Sequence, residues 1–254
     1  MDLAFLTSNL IFQYGLVFAR FGAMLLFLPA ISESYVSARA RLALGVLISI
    51  ILYPAVKSGL PNVSDDLLKN SLPIISEVTI GLFLGLYMRA IQSLLHTAGM
   101  IIAFMTGLST AMMFDANQST QGSVIGGFLT IVGITLYFAT NMHHYALQAI
   151  FYSYELFPVN EMPPLNDFAN SLARIISDSF VIAFQISAPV MIVSTMLYLT
   201  AGLMGRLMPT MQVFFVVLPV QIYIGFLFLV LSLSTMFLVY MNFYEEKVKL
   251  FLPN

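Results

Sequence analysis

The chain contains no cysteine among its 254 residues. Disulfides, thiolate metal sites and cysteine nucleophiles are therefore excluded. Charge is almost as scarce. Asp, Glu, Lys and Arg make up 9% of the residues, against about 25% in soluble domains. The net charge is −2 and the ten Lys and Arg residues are scattered, so no patch could track a phosphate backbone and nucleic acid is not an expected partner. Catalytic signatures are missing as well. There is no P-loop, no dinucleotide-binding glycine pattern, no HExxH and no Gly-x-Ser-x-Gly elbow. No cofactor is indicated and no enzyme activity is expected. The chain starts Met1-Asp2 without a basic region, and its first Arg, Arg20, lies inside an apolar run. No cleavable leader is expected from that pattern.

What fills the chain is apolar. Hydrophobic residues make up 59% of it, and the mean hydropathy is +0.92. A soluble monomer could not cover that much apolar surface, so the chain reads as an integral membrane protein or a buried part of a larger assembly. Apolar runs fall at about 3–30, 42–56, 74–105, 124–157, 174–204 and 213–243. Their length and their Leu, Met and Ala content predict helices. The breaks carry polar and proline clusters such as Pro61, Asp65, Asp66 and Lys69, or Pro158, Glu161, Pro163 and Pro164. No internal repeat and no linker appear, and residues 1–254 read as one all-helical unit.

Two lengths are awkward for simple bilayer spans, which take about 20 residues. Run 42–56 is shorter than that. Run 74–105 is longer, and no proline lies between Pro73 and Pro158 to kink it. The loop charges orient the chain poorly: Arg39 and Arg41 favour a cytoplasmic first loop, but Lys57 and Lys69 sit in the next. Such a mixture predicts helices shaped by protein neighbours.

The long third run carries a stripe. Glu77, Gly81, Gly85 and Arg89 are spaced by four, and Gln92, His96, Gly99 and Ala103 continue near that face. Small residues let another helix approach closely, and polar ones can bond across the contact. Two readings stay open, packing within this chain or packing against partner helices around a polar path. Isolated ionisable residues in apolar runs are Arg20, Glu77, Arg89, His96, His143, His144 and Asp178. Each needs a partner or water, either by structural pairing or in a proton relay. Adjacent His143 and His144 point to different sides of a helix and make a poor metal pair.

The most unusual stretch runs from Thr106 to Ser123, polar and rich in Gly and Met between apolar flanks. It cannot face lipid, where its backbone groups would lack partners. It must meet water, line a cavity or be enclosed by protein. Met100, Met105, Met112 and Met113 cluster there among sixteen methionines. Thioether side chains repack readily, as a deformable seal would need, although they also fill ordinary helix contacts.

Several stretches together resemble the FliR family, the SctT component of type III secretion and flagellar export gates. Arg20 followed by Leu28-Pro29-Ala30-Ile31-Ser32-Glu33 and Arg39-Ala40-Arg41-Leu42-Ala43-Leu44-Gly45 is similar to the family's opening. Glu77 with Gly81 and Gly85 resembles its Glu-and-glycine helix. Gly107-Leu108-Ser109, Phe114-Asp115, Gln121 and Phe128 resemble its central segment. Asn141-Met142-His143 follows, and then Gly202 to Pro209, Val213-Phe214, Pro219 and Gly225. The resemblance covers about residues 10–240. Ala116, Met142, Thr210 and Val217 depart from the pattern.

The resemblance implies a non-enzymatic channel subunit built of long helical hairpins and packed in a helical hetero-oligomer in the bacterial inner membrane or flagellar basal body. It implies FliP-like and FliQ-like gate partners, FlhB-like and FlhA-like apparatus proteins, and unfolded exported proteins as cargo. It also implies that Gly107, Leu108, Ser109, Met112, Met113, Phe114, Asp115, Gln121 and Gly122 belong to a pore plug. Arg20, Glu77, Gly81, Gly85, Arg89, Arg206 and Pro209 would be structural or interface residues. The competing reading is a multi-pass secondary transporter that couples through Glu77, Arg89 or Asp178. The lack of a repeat weighs against it, since such transporters are commonly built from repeats.

Overall fold

The computed structural model describes residues 3–64, 66–109, 123–159, 161–208 and 213–253. Among them the long regular elements are all α-helices: α1 (Leu3–Leu25), α2 (Ala38–Val56), α3 (Leu67–Met105), α4 (Val124–Ala139), α5 (Met142–Leu156), α6 (Leu165–Leu207) and α7 (Val213–Lys249). A 3₁₀ turn at Lys57–Gly59 follows α2. The expected all-α class therefore holds. Four described helices are long and apolar enough to cross a membrane, over Ala38–Gly59, Leu68–Met105, Leu165–Leu207 and Val216–Lys249.

The helix ends follow local chemistry. Ser37 caps α2 by accepting from the Ala40 amide at 3.3 Å, so the helix begins ahead of the apolar run that announced it. Asp66 accepts from the Leu68 amide at the start of α3. The run 124–157 is two helices rather than one. Between them Asn141 takes a left-handed backbone, with φ of 59°, a conformation that asparagine visits more readily than most residues. The rings of His143 and His144 lie 4.2 Å apart, so the two side chains do not diverge as their adjacency predicted. Three helices are very long. α6 has 43 residues and extends about 65 Å at about 1.5 Å per residue.

Two compact units form within the chain. The first comprises Met1–Ile91, Phe138–Ile176 and Glu245–Asn254. In it α1 packs along α2, and Leu16, Val17, Tyr53, Val56, Leu60 and Val159 form a core cluster. Polar pins hold the α2–α3 connection to α1. Gln13 accepts from the Tyr53 hydroxyl at 2.9 Å and donates to the Pro61 carbonyl, and Asn9 accepts from the Val63 amide at 2.6 Å. Phe83 stacks on Phe168 with centroids 3.9 Å apart.

The second unit comprises Gln92–Tyr137 and Ser177–Tyr244. Its core includes Leu95, Ala98, Ile102, Leu129, Ala183 and Val190. The Tyr240 hydroxyl donates to the Gln92 side-chain carbonyl, and Tyr137 meets Tyr244 edge-on at 5.3 Å. Much apolar surface stays uncovered: only 17% of the most apolar window of α7 and 28% of that of α6 are buried within the chain. Lipid or protein neighbours must cover the rest.

Candidate functional site

In the first unit the sequence-predicted residues Arg20, Glu77, Gly81, Gly85 and Arg89 come together. Arg20 on α1 and Glu77 on α3 form a bidentate ion pair, with Nε to Oε2 at 2.7 Å and Nη2 to Oε1 at 2.6 Å. Both side chains are 0% exposed. Nη1 donates to the Ser153 hydroxyl at 3.0 Å, and Nη2 also donates to the Phe157 carbonyl at 2.9 Å. That carbonyl stands just past the end of α5, where helix carbonyls lack partners of their own. The guanidinium lies 3.9 Å from the centre of the Tyr154 ring. Four hydrogen bonds thus occupy most of its five donors, which is what a buried charge requires.

The glycines let this pair form. A Cβ on Gly81 would lie 2.1 Å from the Arg20 carbonyl oxygen, and one on Gly85 would lie 2.7 Å from that of Met24. The two backbones approach closely enough for a short carboxylate to reach the guanidinium. One turn beyond Gly85, Arg89 donates to Ser32 at 2.9 Å and Glu33 at 2.6 Å, fastening the α1–α2 connection to α3. The stripe from Glu77 to Arg89 is therefore packing within the chain. Of the three transporter candidates, Glu77 is paired with Arg20, Arg89 is paired with Glu33, and Asp178 belongs to the second unit.

The second unit holds both ends of the polar interruption. α3 stops at Met105, and Gly107 follows with φ of +75°, a left-handed conformation that favours glycine at a helix end. Gln221 on α7 donates from Nε2 to the Met105 carbonyl at 2.6 Å. Gln221 is 3% exposed and Thr106 is 1% exposed. Gly225 makes room for Thr106, since a Cβ there would lie 2.3 Å from its Cγ2. Leu108 and Ser109 are half-buried.

At the far end Ser123 caps α4, accepting from the Gly126 amide at 3.0 Å and donating to the Gly99 carbonyl on α3 at 3.2 Å. The helices touch there through glycine: a Cβ on Gly99 would lie 2.3 Å from Gly126 Cα. His96 completes the crossing, its Nδ1 2.9 Å from where a Gly126 Cβ would stand. Met112, Met113, Phe114, Asp115, Gln121, Gly122 and Pro209 lie outside the described residues. Arg206 is exposed in the last turn of α6, where a cation suits the helix dipole.

Sequence reasoning missed Gln221, Ser153, Tyr154 and the Phe157 carbonyl. Gln221 had a signal, being the only amide side chain in the apolar stretch 213–231. The carbonyl had none.

These features define an all-helical protein of membrane type, whose polar segment is pinned at both ends by contacts among α3, α4 and α7. The class can be narrowed. Residues 11–247 match the family described as bacterial export proteins, family 1. The chain is 36% identical to the flagellar biosynthetic protein FliR of Caulobacter vibrioides, over 98% of this chain and 99% of that one. It is 30% identical to the FliR of Bacillus subtilis over 92% and 91%. It is 28% identical to the Yop proteins translocation protein T of Yersinia pestis over 90% and 88%. The chain belongs to the FliR family of bacterial export proteins.

Proposed function

We propose that this chain is a non-enzymatic subunit of the bacterial flagellar type III export gate, seated in the inner membrane at the flagellar basal body, where it helps form and plug the secretion channel. In this reading it assembles with FliP-like and FliQ-like subunits, beside FlhB-like and FlhA-like proteins, and passes unfolded exported proteins. The observation that carries the reading is the double anchoring of the interrupted segment in a chain of this family. Gln221 holds the Met105 carbonyl before it, and Ser123 holds the Gly99 carbonyl after it. A polar segment fixed at both ends among apolar helices needs a protein-lined or wet space, which a channel provides. The uncovered apolar faces of α6 and α7 suit burial against partner helices. The flagellar assignment is favoured by relatives named for flagellar biosynthesis at 36% and 30% identity.

Two experiments test this. Expressed with FliP-like and FliQ-like subunits, the chain should co-purify with them, and a detergent-solubilised monomer under those conditions would sink the reading. Deleting 107–122 from an assembled gate should let ions or small solutes leak. Unchanged permeability in an assembled complex would remove the plug role. Substrate uptake by the chain alone in liposomes would favour the transporter instead.

A further inference from the structure

The first unit contains a cavity of about 480 Å³ between α1, α2 and α3. Phe18, Gly22 and Leu26 of α1 line it, with Leu42 and Gly45 of α2 and Val78 of α3. It opens outward: Leu26 is 51% exposed and Leu42 61%. Among the described residues, Arg41 is the only charged one lining it. The Arg41 Nε donates to the Ile31 carbonyl at 3.1 Å and Nη2 to the Glu33 carbonyl at 3.4 Å. These bonds hold the guanidinium at the cavity and leave Nη1 without a partner among the described residues. The nearby carboxylate of Glu33 is engaged by Arg89, so the free charge at the mouth is positive.

We propose that this cavity binds one acyl chain of an anionic membrane phospholipid, whose phosphate sits on Arg41. The proposal does not depend on the gate reading. Charge selects the occupant: an open apolar groove with a cation at its mouth matches an acyl chain beneath an anionic headgroup. α2 is itself one of the helices apolar enough to cross a membrane, and its arginines mark the end where headgroups gather. Basic residues at a membrane surface attract anionic lipids.

The chain has no tryptophan, so one introduced Trp is the only indole reporter. Leu42→Trp places it at the cavity. Leu47→Trp places it on the other side of α2, 58% exposed and outside the cavity lining. The full chain is reconstituted in vesicles containing brominated phosphatidylglycerol or brominated phosphatidylcholine. Leu42→Trp should be half-quenched at an about fivefold lower fraction of phosphatidylglycerol than of phosphatidylcholine, the attraction of about one basic residue. Leu47→Trp should not distinguish them. Arg41→Gln should abolish the preference, and added salt should shrink it. Equal quenching of Leu42→Trp by both lipids would overturn the proposal. So would a preference that survives both Arg41→Gln and high salt. Loss of quenching in the co-purified complex would assign the cavity to a protein neighbour and overturn it too.

Discussion

Glu77→Ala should severely destabilise the first unit. It removes two of the four hydrogen bonds to Arg20 and the carboxylate that neutralises it, leaving the Ser153 and Phe157 contacts. Arg20 is 0% exposed, so water does not replace the lost partner. Breaking a buried pair by removing one member costs about 3–5 kcal/mol, a large part of the roughly 5–15 kcal/mol that holds a domain together. The unfolded fraction should rise by about two to three and a half orders of magnitude, at about 1.4 kcal/mol per tenfold. Denaturant titration of the full chain in mixed micelles measures this, and its abundance in membranes should fall in parallel. A wild-type midpoint for Glu77→Ala would refute the reasoning. The double variant Arg20→Met with Glu77→Leu separates structure from coupling. Replacing both charges by apolar groups is often neutral, or stabilising by about 1–4 kcal/mol, so it should restore the midpoint and export together. Restored stability without export would mean that the pair performs a step in transport, and the transporter reading would gain.

The remaining predictions concern the anchors of the interrupted segment. Gln221→Leu leaves the Met105 carbonyl unpaired at a cost of about 1–3 kcal/mol; if the segment gates a channel, single-channel recordings of the assembled complex should show open probability rising by about fivefold to 150-fold, and unchanged gating would deny the anchor that role. Gly126→Ala should destabilise by about 1–3 kcal/mol, because its Cβ would stand 2.9 Å from His96 Nδ1 and 3.0 Å from the His96 carbonyl oxygen. Gly127→Ala next door should be neutral or stabilise by up to about 1 kcal/mol, since nothing lies within 4 Å of its Cβ and alanine is the better helix former. Denaturant midpoints of the two variants should therefore move in opposite directions, and equal shifts would contradict the close α3–α4 crossing.

The helical class was legible because apolar runs of this length admit little else, but the edges of the runs were not the edges of the helices. Ser37 starts α2 ahead of run 42–56, and α3 reaches back to Leu67 through a stretch containing Lys69 and Pro73. Helices continue into polar sequence when caps satisfy their first amides, and hydropathy is blind to caps. The break at Asn141 was hidden for the opposite reason. Its flanks are apolar enough to read as one run, and only the left-handed backbone at that residue divides them.

The site was legible on one side of each contact. Gly81, Gly85 and Gly99 announce that something comes close, and Glu77 announces that something answers its charge. None of the glycines names its partner, because those partners are backbone atoms: the Arg20 carbonyl at Gly81, the Met24 carbonyl at Gly85 and Gly126 Cα at Gly99. Any residue supplies such atoms, so the sequence carries no mark of them. Gln221 and the Met105 carbonyl show the same asymmetry across 116 positions. The pairing has a consequence for a gate. Gly107 fixes the direction in which the chain leaves α3, and Gln221 fixes the carbonyl before it. A plug that moves out of a channel must then either pivot beyond Gly107 with Gln221 still bonded, or break that bond and carry the end of α3 with it. Only the second route is made easier by Gln221→Leu, so if the segment is a plug, the variant's gating phenotype reports which route it takes.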